Sequence, residues 1–166
     1  VTLPSTITSV GSNSFGKCGS LMKINVPNAT KSIDASAFSS SPNLKVYCDK
    51  DSYAHEFCIN NSIDYHYSNI ATLYPMPASV IYGGHTYGRF DTACTWEEAK
   101  LVCEMLGGHL VTITSQAEND VVKTLISGGN SAYWIGATDE KVEGTWEWVT
   151  GEAFDYTAWN SGEPND

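Results

Sequence analysis

A repeat at the N-terminus constrains this chain more than any other feature. Residues 1–23 and 24–46 align without gaps, placing Val1/Ile24, Leu3/Val26, Pro4/Pro27, Ser9/Ser32, Val10/Ile33, Phe15/Phe38 and Leu21/Leu44 in register. A period of that length implies stacked coils, each turning its Leu, Ile, Val and Phe inward, because one repeat cannot bury its own apolar face. Pro4 and Pro27 open a new stretch after a short strand, where a missing N–H does little harm. Cys18 follows Phe15 on a turn, and Ser41 replaces it in the next copy. It therefore reads as a small filler rather than a reactive thiol. The period breaks at Tyr47. Beyond it, Tyr53, Ala54, Phe57 and Cys58 fit one helical face, as expected of a cap on the last coil. Cys48 and Cys58 either pair or lie as two buried thiols.

Charge divides the chain. Residues 1–70 carry five acids and five bases, whereas residues 71–166 carry fourteen acids and four bases and all five Trp. The overall net charge of −10 argues against a phosphate-backbone binder and suits a protein that holds cations or must stay soluble. No apolar run approaches the ~20 residues of a membrane-spanning helix. Two modules are expected: repeats plus cap over residues 1–67 and a second module over residues 81–166. A linker over residues 68–80 is held extended by Pro75-Met76-Pro77. The five cysteines are odd in number, so one thiol is free or its partner lies outside this sequence. The pattern is already running at Val1 and still running at Asp166, so a fragment of a longer chain is expected.

In the second module, Thr95-Trp96-Glu97-Glu98 is a capping box, and Ala99, Val102, Cys103 and Leu106 make one helical stripe ended by Gly107-Gly108. Residues 109–113 alternate like a short strand. Ser115-Gln116-Ala117-Glu118 opens a second helix lined by Ala117, Val121, Leu125 and Ile126. Residues 132–136 and 146–149 read as aromatic-rich strands. Strands, two helices, then strands and long polar loops define an α+β class.

Two resemblances follow. The period and Pro-to-Phe spacing of residues 1–67 resemble the BspA-like (treponemal) leucine-rich repeats of surface proteins, which implies a short solenoid serving as an adhesion or spacer array. Tyr87, Trp96, Ala99, Cys103, Gly107-Gly108, Leu110, Trp134-Ile135-Gly136, Gly144, Trp146, Trp148 and Glu163-Pro164-Asn165 resemble the C-type lectin-like domain pattern. That implies a double-looped fold with a small sheet, two flanking helices and a long calcium-holding loop region. Trp134, Trp146 and Trp148 are then expected in the core or at the loop base. Cys103 would be a structural half-cystine with a partner near the domain's C-terminus; otherwise it is unpaired or bonded to Cys94.

The same resemblance supplies the candidate site. Calcium takes 6–8 oxygen ligands. Glu163 and Asn165, flanking a cis-linked Pro164, would belong to the principal calcium site and would hydrogen-bond the two sugar hydroxyls that ligate the same ion. Glu-Pro-Asn resembles the version that accepts equatorial vicinal hydroxyls, as in mannose, glucose, N-acetylglucosamine and fucose. Asp139, Glu143 and Asp166 resemble an auxiliary calcium site. Three converging carboxylates would repel one another unless a cation neutralised them. The family completes the principal site with a Trp-Asn-Asp stretch after this loop, and these 166 residues do not contain one.

Enzyme readings fail. There is no HExxH, no G-x-S-x-G and no P-loop, and His55, His66, His85 and His109 lack metal spacing. Asn28-Ala29-Thr30 and Asn60-Asn61-Ser62 are glycosylation sequons. The expectation is a secreted or cell-surface adhesin. Its Ca²⁺-dependent lectin domain would bind a glycan or surface glycoprotein, with no nucleic acid and no membrane insertion. Two rivals remain: a protein-binding lectin-like module without sugar activity, and an accessory module of a larger carbohydrate-active protein.

Overall fold

The computed structural model describes residues 1–129 and 132–164, which fall into two compact units, Val1–Leu73 and Tyr74 onward.

In the first unit the repeat becomes parallel pairing. Strand β1 (Ser9–Val10) pairs with β3 (Ser32–Ile33), setting Ser9 against Ser32, and Thr2 bridges Asn25. Strand β2 (Lys23–Asn25) pairs with β4 (Lys45–Cys48), and β4 with β5 (Tyr65–Tyr67), also in parallel. Side chains reach back one repeat to backbone carbonyls: Thr30 Oγ1 donates to Ile7 O (3.1 Å) and Ser41 Oγ to Phe15 O (2.8 Å). The aligned positions Lys17 and Ser40 share a left-handed backbone, with φ of 58° at each.

The core runs through Val10, Ile24, Ile33, Phe38, Leu44 and Val46. Phe15 stacks on Phe38 at 6.0 Å between ring centroids, and Phe38 meets Phe57 edge-on at 6.1 Å. Phe57 lies on helix α1 (Tyr53–Asn60), so the phenylalanine series begun in the first coil ends on this helix. The helical face differs from the expected one. Tyr53 is exposed, and His55 is buried beside Ala54, Phe57 and Cys58. Cys48 and Cys58 are buried thiols that hydrogen-bond each other, which pulls Cys48 down and, with burial, pushes Cys58 up. A short helix α2 (Ile70–Leu73) closes the unit.

The second unit opens with a hairpin of β6 (Ala78–Tyr82) and β7 (His85–Arg89), where Tyr82 faces His85 across Gly83-Gly84. Both glycines have positive φ (58° and 84°), the backbone a two-residue type I′ turn requires. Helix α3 (Trp96–Met105) follows its Thr95 cap, and α4 (Gln116–Ile126) its Ser115 cap; each hydroxyl accepts from the amide three residues on. Helix α4 packs on the hairpin. On α3, Val102 is buried but Leu106 is exposed; on α4, Asn119 is buried and Ala117 exposed, contrary to the expected stripes.

Residues 109–113 do not form a strand. Leu110, Thr112 and Ile113 are all buried, which breaks alternation, and the segment is tied to the next by Gly136 N–H donating to Val111 O. Residues 132–136 are likewise irregular where described. The sheet here is a two-residue ladder of β8 (Ala137–Thr138) with β9 (Glu147–Trp148).

Candidate functional site

The site region is built on β8, β9 and the loops that leave them. Its base is fixed by close packing. A Cβ at Gly136 would lie 2.8 Å from Leu110 O and 2.9 Å from Val149 Cγ2, so only glycine lets the two segments meet. Trp96 Nε1 donates to Ile135 O (2.8 Å), tying α3 to the same junction. Trp148 is buried, as expected of the loop base. Trp134 is not: it is 55% exposed, with its indole N–H on Cys94 O (2.9 Å). Its amphipathic ring satisfies its polar edge on backbone and leaves its apolar face outward.

The loop between β8 and β9 carries Asp139 and Glu143. Asp139 is half-buried, and its Oδ2 accepts from Gly144 N (3.0 Å), folding the loop back on itself at a glycine with φ of 74°. Val142 N donates to Asp139 O and Thr145 N to Val142 O, which tightens the turn. Lys141 pairs with Glu147. Glu143 is exposed at the tip.

The chain then runs from Val149 to Glu163 over an aromatic series that sequence reasoning did not assemble. Trp148 meets Phe154 (4.8 Å between centroids), Phe154 meets Trp159 (6.4 Å), and Trp159 meets Trp146 (5.2 Å). The signal was present: aromatic residues recur through an otherwise polar loop. Two polar ties anchor the run. Glu152 Oε2 accepts from Thr112 Oγ1 and from Thr150 Oγ1, each at 2.7 Å, and these hydrogen bonds hold its carboxyl below the usual glutamate value. Tyr156 Oη accepts from Asn119 Nδ2 and donates to Gln116 Oε1, both at 3.1 Å, which accounts for the buried Asn119 on α4.

Glu118 has a larger role than a cap. Its carboxylate accepts from Thr114 N and Oγ1 on one oxygen and from Tyr87 Oη on the other. Burial first, and then this carboxylate, push the Tyr87 phenol up to about 12. Cys94 and Cys103 are thiols, and burial followed by proximity to Cys94 raises Cys103.

Glu163 is exposed on the turn where its N–H donates to Asn160 O (3.0 Å), and the Glu163–Pro164 peptide is cis. Asn165 and Asp166 lie outside the described residues. Among the described residues no three His, Cys, Asp or Glu side chains gather at metal-holding range. Asp139 and Glu143 lie on the β8–β9 loop and Glu163 on the turn after Asn160, and among the described residues they are not drawn into one cluster. Their chemistry is uniform: every donor in the expected set is a carboxylate or amide oxygen, which suits a hard cation.

Residues 92–166 match the family model for the lectin C-type domain, and residues 1–72 match that for the BspA type leucine rich repeat region. Over residues 92–166 the second unit is similar to C-type lectin domains. Lectin BRA-3 of Megabalanus rosa is 39% identical over 87 residues, covering 51% of this chain and 52% of that protein. Hepatic lectin of Gallus gallus is 40% identical over 74 residues, covering 43% of this chain and 35% of that protein. The solved carbohydrate-recognition domain of the mouse scavenger receptor C-type lectin is 41% identical, covering 42% of this chain and 54% of that one, with a TM-score of 0.40. The chain spans about half the length of the first curated relatives it matches.

Proposed function

We propose that this protein is a calcium-dependent lectin of the mannose, glucose, N-acetylglucosamine and fucose type, carried on a leucine-rich-repeat stalk and displayed on or secreted from a cell. The observation that carries this reading is the lectin C-type match over residues 92–166. It spans the acidic β8–β9 loop and runs through Glu163-Pro164-Asn165. The expected linker over residues 68–80 is instead divided between the units, so we assign repeats and cap to Val1–Leu73 and the lectin domain to the unit from Tyr74 onward.

Bound calcium would supply coordination positions for two vicinal sugar hydroxyls. Glu163 and Asn165 act at the principal site: the Glu163 carboxylate accepts a hydrogen bond from one hydroxyl, and the Asn165 amide donates one to a hydroxyl oxygen. Asp139, Glu143 and Asp166 act at an auxiliary site, where Asp139 already holds its loop through Gly144 N. The ties from Glu152 and Tyr156 position the stretch leading to Glu163. The domain binds and performs no chemistry. Single-site affinity is modest and gains from multivalent display. Protonation of the carboxylates removes ligand charge, so binding fails in acid.

Retention on mannan resin tests this. Protein held in calcium, released by EDTA and lost in Glu163→Gln supports the reading. Retention indifferent to chelator, or no retention, overturns it and favours a protein-binding module.

A further inference from the structure

The cap of the first unit contains a group that neither the repeats nor the lectin site uses. His55 is 7% exposed, in the third position of α1. Its ring Nδ1 faces the backbone N–H of Asp51 at 3.1 Å. A backbone N–H can only donate, so Nδ1 must keep its lone pair, and the ring proton sits on Nε2, directed at Tyr67 Oη (3.4 Å). The ring is thus held as one neutral tautomer. Asp51 has a φ of 61°, the left-handed kink that aims its amide at the ring, and Ser52 Oγ accepts from His55 N (3.2 Å). Ring and backbone of one residue together close the first turn of the helix.

Tyr65 and Tyr67 pack edge-to-face on the ring at 4.9 and 5.2 Å. These two phenols on β5 face the ring, and the charged residues flanking it in the chain are Asp49, Lys50 and Asp51 on the preceding loop and Glu56 on α1. Asp51 and Glu56 are exposed, where water screens them. The helix N-terminus is itself electropositive. Protonation would set an Nδ1–H against the Asp51 N–H, two donors facing each other in a buried place.

We propose that His55 is an acid-sensitive latch: its protonation opens the first turn of α1 and loosens the α1–β5 cap from the end of the repeat core. Phe57 ends the phenylalanine series from this helix, so opening uncovers apolar core. The latch acts in the first unit and needs neither calcium nor sugar.

Hydrogen exchange of the whole chain in calcium-free buffer tests it, at about pH 7 and about pH 5, on either side of the ordinary imidazole value of roughly 6.5. Rates are normalised to the unstructured rate at each pH. Peptides within 49–61 are expected to lose protection by about tenfold or more relative to residues 23–46. His55→Asn keeps an oxygen that can accept from Asp51 N–H and does not titrate, so in it the loss should vanish. Equal loss in both proteins, or none in the wild type, overturns the proposal. Should His55→Asn fail to protect residues 23–46 at neutral pH, the imidazole NMR titration of the wild type decides. A His55 midpoint coinciding with loss of cap protection supports the latch; a protonated His55 beneath a protected cap overturns it.

Discussion

An alanine at position 136 would push its Cβ to 2.8 Å from the Leu110 carbonyl, against backbone that cannot swing away. Gly136→Ala should therefore destabilise the second unit by about 1–3 kcal/mol, the usual cost of overpacking. All five Trp lie in that unit, so a denaturant titration followed by Trp fluorescence measures the loss. Tyr87 gives a pH signature. Its folded value is raised to about 12 from an ordinary 10, so the neutral phenol is favoured by folding. That contribution is complete below pH 10 and is lost as pH rises towards 12. Tyr87→Phe should flatten the decline in thermal stability over this window. An unchanged alkaline decline would show that the Tyr87–Glu118 contact contributes nothing.

At the scale of elements, two tests separate core from loop. Phe38 lies between Phe15 and Phe57, so Phe38→Ala should cost the first unit about 3–5 kcal/mol, read as lost exchange protection over residues 23–46. The loop running from Val149 depends on Glu152 instead. Its lowered carboxyl value means that the tie to Thr112 and Thr150 is present above the ordinary value of 4.5 and is lost as pH falls below it. Thr112→Val should raise exchange in residues 149–156 at neutral pH and leave less of it to gain in acid.

Elements differ in how legible they were. The caps at Thr95 and Ser115 could be read directly, because a hydroxyl before an apolar helix has one efficient use. The hairpin at Gly83-Gly84 was readable but not read. Residues 109–113 misled, because alternation of residue type does not guarantee alternation of burial when both faces pack. The burial of His55 and Asn119 is not legible in sequence, because a buried polar residue is explained only by its partner, Asp51 N–H in one case and Tyr156 in the other.

For the whole molecule, charge and aromatic content pointed to two different materials in one chain, and the two units with their separate family matches follow that division. The candidate site was legible only as a motif. The family resemblance names Asp139, Glu143 and Glu163, but their convergence depends on loop geometry and on a cation whose charge offsets their repulsion. Calorimetric titration of calcium into the protein examines that convergence directly. Saturable uptake is expected, with a dissociation constant of about 10⁻⁴–10⁻³ M for an extracellular module, weakened in Glu163→Gln, and heat of mannose binding only after calcium is present. Mannose binding of equal strength without calcium, or no calcium uptake at all, would contradict it.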